Sequence, residues 1–113
     1  MDKNIKRYLN KELSISKNRI VGYSMRIDNY GNIITNIRES DFKRVLSNNS
    51  GSFEINLGLD VIDTISKKYS DVDTADLFAI FNYNKYLEIV MNKGSASELL
   101  GIKNHTPITI NFL

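Results

Sequence analysis

The stretch IDNYGNIITNI, residues 27–37, decides how the rest of the chain is read. Two apolar, β-branched arms flank Asp28, Asn29, Tyr30, Gly31 and Asn32. Gly and Asn tolerate positive φ, so Asn29-Tyr30-Gly31 is expected to reverse the chain between two strands. Upstream, Val21, Tyr23, Met25 and Ile27 alternate with Gly22, Ser24 and Arg26, the period of a half-buried strand over 20–28. Residues 33–37 form the return strand. Turn geometry accounts for the glycine and, through local backbone bonds, for Asp28 and Asn32. The same groups also suit a small ligand: a carboxylate for an ammonium, a carboxamide for the edge of adenine, an aromatic face for a flat ring.

The alternating period recurs along the chain. Phe53, Ile55 and Leu57 alternate with Glu54 and Asn56, Gly58 interrupts, and 59–65 resumes an extended pattern. Two apolar strands, 77–82 and 86–91, flank a second turn at Tyr83-Asn84-Lys85. Ile108, Ile110 and Phe112 close the chain as a final strand. Between strands, Ser40 is placed to cap a short helix over 41–46. Ser95 and Glu98 form a capping box for another, which Gly101 ends. These elements predict a mainly β fold, an antiparallel β-barrel-like domain or sandwich of about seven short strands with two short helices.

Residues 1–19 read differently. Ile5, Tyr8, Leu9 and Leu13 recur at helical spacing, and Lys3, Lys6, Arg7, Lys11, Lys17 and Arg19 outnumber Asp2 and Glu12. We read this as a basic N-terminal helix or linker, preceding one β domain over 20–113. Nucleic-acid binding through that basic head is the weaker alternative, since a phosphate-binding domain normally spreads its cations over the folded face. No apolar run is long enough to span a bilayer, the start lacks a signal-peptide pattern, and there is no cysteine. The expectation is a cytoplasmic protein without membrane contact.

No self-contained catalytic or metal site is legible. His105 is the single histidine, in a turn, and is given no role. Phosphate-loop, nucleophile-elbow and metal-cluster spacings do not occur. Asp71, Asp73 and Asp76 lack the glycine and terminal glutamate of a calcium loop and read as solvated. We therefore assign no catalytic residue, no metal and no cofactor.

Three stretches in order, GYSMRIDNYGNIITNI, KYSDV and YLEIVMNKGSASELLG, resemble the C-terminal domain of the S-adenosylmethionine (SAM) hydroxide adenosyltransferases, the family that includes the fluorinating and chlorinating enzymes. The likeness runs from about residue 19 to the C-terminus. It implies a β-barrel-like domain and, in the whole family protein, cleavage of SAM at the ribose C5′ by hydroxide or halide. It implies trimers whose ligand lies between one subunit's N-terminal domain and the next subunit's C-terminal domain. The groups that activate the nucleophile lie in that N-terminal domain. So the domain here is expected to supply an adenosine-binding face and to act only with an upstream or separate catalytic domain, with SAM or adenosine as ligand.

Carried across, Asp28 falls on the aspartate that binds the methionine ammonium, Asn32 on the asparagine that reads adenine, and Tyr30 on the aromatic beside it. The second turn departs from the pattern, with Asn82-Tyr83-Asn84-Lys85 where the family has Asn-Ser-x-Gly. Asn92 and Gly94 are kept. The implied ligand-binding set is Asp28, Tyr30, Asn32, Tyr83, Asn84, Asn92 and Lys93. The alternative is a diverged stand-alone module for small-molecule binding or protein assembly, without catalysis.

Overall fold

The computed structural model describes residues 13–71 and 76–113. Of the basic helix or linker expected over 1–19, residues 1–12 lie outside the described residues, Leu13 packs against the core and Ser14–Ile15 form a short strand. Nine strands are described: β1 (Ser14–Ile15), β2 (Arg19–Ile27), β3 (Ile33–Arg38), β4 (Phe53–Leu57), β5 (Asp60–Ile62), β6 (Ile65–Ser66), β7 (Leu77–Phe81), β8 (Tyr86–Met91) and β9 (Pro107–Phe112). Two helices, α1 (Glu39–Ser47) and α2 (Ala96–Leu100), lie between them, with a single 3-10 turn at Tyr69–Asp71.

The strands make one curled sheet in the order β5-β4-β9-β2-β3-β8-β7-β6, with β1 on β2. Every pairing is antiparallel except β6 with β7. The expected mainly β, barrel-like fold is what forms. The strand expected at 59–65 divides: β5 pairs with β4, and β6 pairs with β7 on the opposite edge. Only Asp63 and Thr64 separate the two, so one extended stretch ties both sheet edges together.

Burial follows the alternation. Ile20, Ile33, Ile37, Ile55, Leu87, Ile89, Ile108 and Ile110 are fully enclosed inside the curl. Helix α1 adds Phe42 and Val45, three residues apart on one helical face. Phe42 meets Phe53 edge-on at 4.9 Å and lies 5.4 Å from Phe112, closing one end of the core. Emptying such a site costs about 3–5 kcal/mol.

The helix begins earlier than expected and is not capped by Ser40. Arg38 is the N-cap and offers no side-chain bond. Instead the Glu39 amide donates to the Lys85 carbonyl at 2.9 Å, so a backbone group from the second turn anchors the helix start. Helix α2 follows its sequence signals. The Glu98 amide donates to Ser95 Oγ at 3.2 Å, and Gly101 ends the helix in the left-handed region at φ 67°.

Strand β8 also has a second, outward face. Leu87 and Ile89 enter the main core, whereas Val90 joins Phe78 and Ile80 in a small apolar cluster on the other side. Glu88 shares that outer side and is 6% exposed. A buried carboxylate on an apolar strand face is costly unless it is hydrogen-bonded.

Candidate functional site

The first turn is held by its own side chains. Asp28 Oδ1 accepts from the Tyr30 amide at 2.9 Å and the Asn32 amide at 3.0 Å. Asp28 Oδ2 accepts from Asn32 Nδ2 at 3.2 Å. The Gly31 amide donates to the Asp28 carbonyl at 3.0 Å, with Gly31 at φ 82°. Gly31 is required for a second reason, since a Cβ there would lie 1.9 Å from Ser95 Oγ and 2.9 Å from its Cα. The Ser97 amide donates to the Gly31 carbonyl at 2.9 Å, seating the start of α2 directly on the turn.

These bonds fix the turn without exhausting it. A carboxylate has about four acceptor positions, and Asp28 uses three on its own turn. Asn32 spends one amide N–H on Asp28, which sets the orientation of its carboxamide because a carboxylate only accepts. The other N–H and the carbonyl oxygen form the donor–acceptor edge that suits adenine. Turn support and ligand contact are compatible uses of both residues.

Sequence reasoning passed over two members of this region. The Tyr69 hydroxyl donates to the Glu88 carboxylate, and Asp28 is close enough to act on it electrostatically. Burial, the charge and hydrogen bond of Glu88, and then the charge of Asp28 hold the Tyr69 pKa above its ordinary value, so the phenol keeps its proton. Glu88 Oε1 also accepts from Asn82 Nδ2 at 3.2 Å. The Tyr69 ring stands edge-on to Phe78 at 6.1 Å and is half exposed, a flat apolar surface beside the Asp28 turn. Two signals could have found the pair: Tyr69 lies in KYSDV, and Glu88 is the only charge in the run YLEIVM.

The expected ligand-binding residues fall into two groups. Asp28, Tyr30 and Asn32 share the first turn, and Ser95 packed on Gly31 brings the 92–94 turn, with Asn92 and Lys93, alongside it. Tyr30 itself projects outward, 79% exposed. Tyr83 and Asn84 sit in the second turn, at the other end of β8. The register shows the separation: Ile33 pairs with Ile89 near the first turn, and Arg38 pairs with Tyr86 near the second. At roughly 3.3 Å per residue the two turns are about 15–20 Å apart, so a ligand touching both must run along the outer face of β8.

The second turn is a geometric twin of the first. Asn82 Oδ1 accepts from the Asn84 and Tyr86 amides, both at 3.0 Å, as Asp28 does from Tyr30 and Asn32. The Lys85 amide donates to the Asn82 carbonyl at 2.9 Å, as Gly31 does to Asp28. Lys85 thus occupies the left-handed position, at φ 70°, that glycine fills in the first turn.

Comparison with known proteins gives the family and the fold. The sequence model of the SAM hydroxide adenosyltransferase C-terminal domain matches residues 22–109. An uncharacterized conserved protein from Thermotoga maritima has a similar structure, with a TM-score of 0.74 and 25% identity, covering 89% of this chain and 39% of that one. A conserved hypothetical protein from Thermus thermophilus shares the fold, with a TM-score of 0.60 and 24% identity, covering 89% of this chain and 37% of that one. The chain thus spans about two-fifths of the length of either structure.

Proposed function

This chain belongs to the family of the SAM hydroxide adenosyltransferase C-terminal domain, and from that premise we propose that it supplies the adenosine-binding face of such an enzyme. The observation that carries the reading is the first turn. Asp28 keeps an acceptor position and Asn32 keeps an amide edge, and both are already fixed by bonds to each other. A preorganised edge loses little entropy on binding. Tyr69 offers a ring beside them, held by Glu88 and Phe78.

The chemistry belongs to a larger assembly. Conversion of SAM and water to adenosine and methionine needs a positioned, partly desolvated nucleophile opposite the ribose. The residues named on this face bind and orient; none is placed to activate water. Our proposal therefore includes an N-terminal catalytic domain, upstream or separate, and trimeric assembly of the family's kind. The domain alone is a binding wall and not a catalyst.

Calorimetric titration with adenosine and with SAM tests the reading. Asn32→Ala should abolish adenosine binding while lowering stability by only about 0.5–1.5 kcal/mol, the worth of one partly buried hydrogen bond. If the wild-type domain binds neither compound, alone or with a catalytic domain added, the proposal fails and a diverged assembly module is the better description.

A further inference from the structure

Far across the sheet from β1, a groove runs between β5, the start of β7 and α2, lined by Asp60, Val61, Ile62, Asp76, Leu77 and Leu99. Val61 and Leu99 are more than half exposed, and Leu59, two residues before Val61, stands fully in solvent. Large apolar side chains gathered at one place on a surface mark a contact site, whereas single ones do not. The polar members of the lining are carboxylates, Asp60 and Asp76, with no cation among them. The other grooves differ: Lys103 lines the one beside Gly101, Lys17 and Arg44 the one beside Asn48, and Arg38, Lys43 and Lys85 the one at the second turn.

An apolar groove edged with carboxylates suits a segment that carries apolar and basic side chains together. The chain has such a segment in residues 1–12, outside the described residues. Ile5, Tyr8 and Leu9 stand three and four residues apart, the spacing of one helical face, and Lys3, Lys6, Arg7 and Lys11 outnumber Asp2 and Glu12.

The strand register brings this segment within reach. It joins the fold at Leu13, which packs on the core just ahead of β1. Ser14 pairs with Val21, Val21 with Thr109, Thr109 with Asn56, and Asn56 with Val61. One row on the outer side of the sheet therefore leads from β1 to the groove, across four strand spacings or about 19 Å. Residues 1–12 reach up to about 40 Å when extended, so Ile5 and Tyr8 can arrive at Val61.

We propose that this groove is the docking site of the chain's own N-terminal segment, with Ile5 and Tyr8 on Val61, Leu77 and Leu99 and the basic side chains beside Asp60 and Asp76. Docking ties the segment to α2, whose Ser97 amide holds the Gly31 carbonyl, but it does not rest on adenosine binding.

The chain contains no cysteine, so Asn4→Cys in the full chain carries a single nitroxide label. The label should broaden the amide signals of Val61, Leu77 and Leu99 and leave those of Arg44 and Asn48 sharp. Leu99→Ser and Val61→Ser, both at exposed positions, should lower the docked fraction about fivefold or more. Asp60→Lys should lower it about twofold. Leu113→Ser, at an exposed leucine elsewhere, should leave the broadening as it is. When nitroxide-labelled chain is mixed with isotope-labelled chain free of nitroxide, no broadening should pass between the two. The proposal is overturned if the groove amides stay sharp, if Leu99→Ser and Val61→Ser keep wild-type broadening, or if Leu113→Ser loses as much as they do. Equal broadening in the mixed sample overturns it as well, by assigning the groove to a second copy.

Discussion

Thr35 shows how one side chain can repair a break in the sheet. It is fully buried on β3, where the register against β8 shifts between Ile34 and Arg38. Backbone groups at such a shift lose their ladder partners and must find others. The Thr35 hydroxyl donates to the Leu87 carbonyl at 2.8 Å and accepts from the Ile37 amide at 3.1 Å. Thr35→Val keeps the shape and strands both groups, so urea denaturation should show a loss of about 1–3 kcal/mol, with Thr35→Ser losing less. Asp28 and Asn32 follow the same logic at the surface, where side chains that complete a turn also leave polar groups facing outward. For these residues, the turn structure and the proposed binding would be two uses of one arrangement.

At the scale of elements, the Tyr69 turn and strand β8 are joined by one bond whose strength depends on pH. The folded chain holds the Tyr69 proton more tightly than the unfolded chain, whose tyrosine titrates near 10.0. Its contribution is therefore whole below that value and is lost as pH rises through the higher folded value. Unfolding midpoints measured at about pH 9 and pH 11 should fall further for the wild type than for Tyr69→Phe, which has no proton to lose. Elements specified by neighbouring residues were legible in the sequence: the two hairpins by period and turn chemistry, and α2 by Ser95, Glu98 and Gly101. Elements specified from far along the chain were not. The start of α1 depends on the Lys85 carbonyl, β6 on a parallel partner in β7, and Tyr69 on Glu88. Strand β1, at two residues, is too short to carry a period. The candidate site was legible to the same extent: the Asp28 turn could be read locally, while the distance to Tyr83 and Asn84 emerges only from the register.

For the molecule as a whole, the curled sheet places a polar turn at each end of β8 and a buried glutamate between them. The core side of the sheet is mainly apolar, with Ser24 and Thr35 buried in it and hydrogen-bonded, so the proposed ligand contacts lie on the outer face and at its two ends. One end carries Asp28, Asn32 and Lys93, the other Arg38, Glu39, Lys43 and Lys85, so the second end is the more basic. On the proposed function, the domain would contribute recognition to an assembly that performs the reaction elsewhere. The most direct test is to titrate the labelled chain with adenosine and follow each backbone amide by NMR. The account predicts saturable shifts at Tyr30, Asn32, Tyr69 and the 90–93 segment, lost in Asn32→Ala. An absence of shifts there, or shifts confined to the Arg38 and Lys85 end, would contradict it.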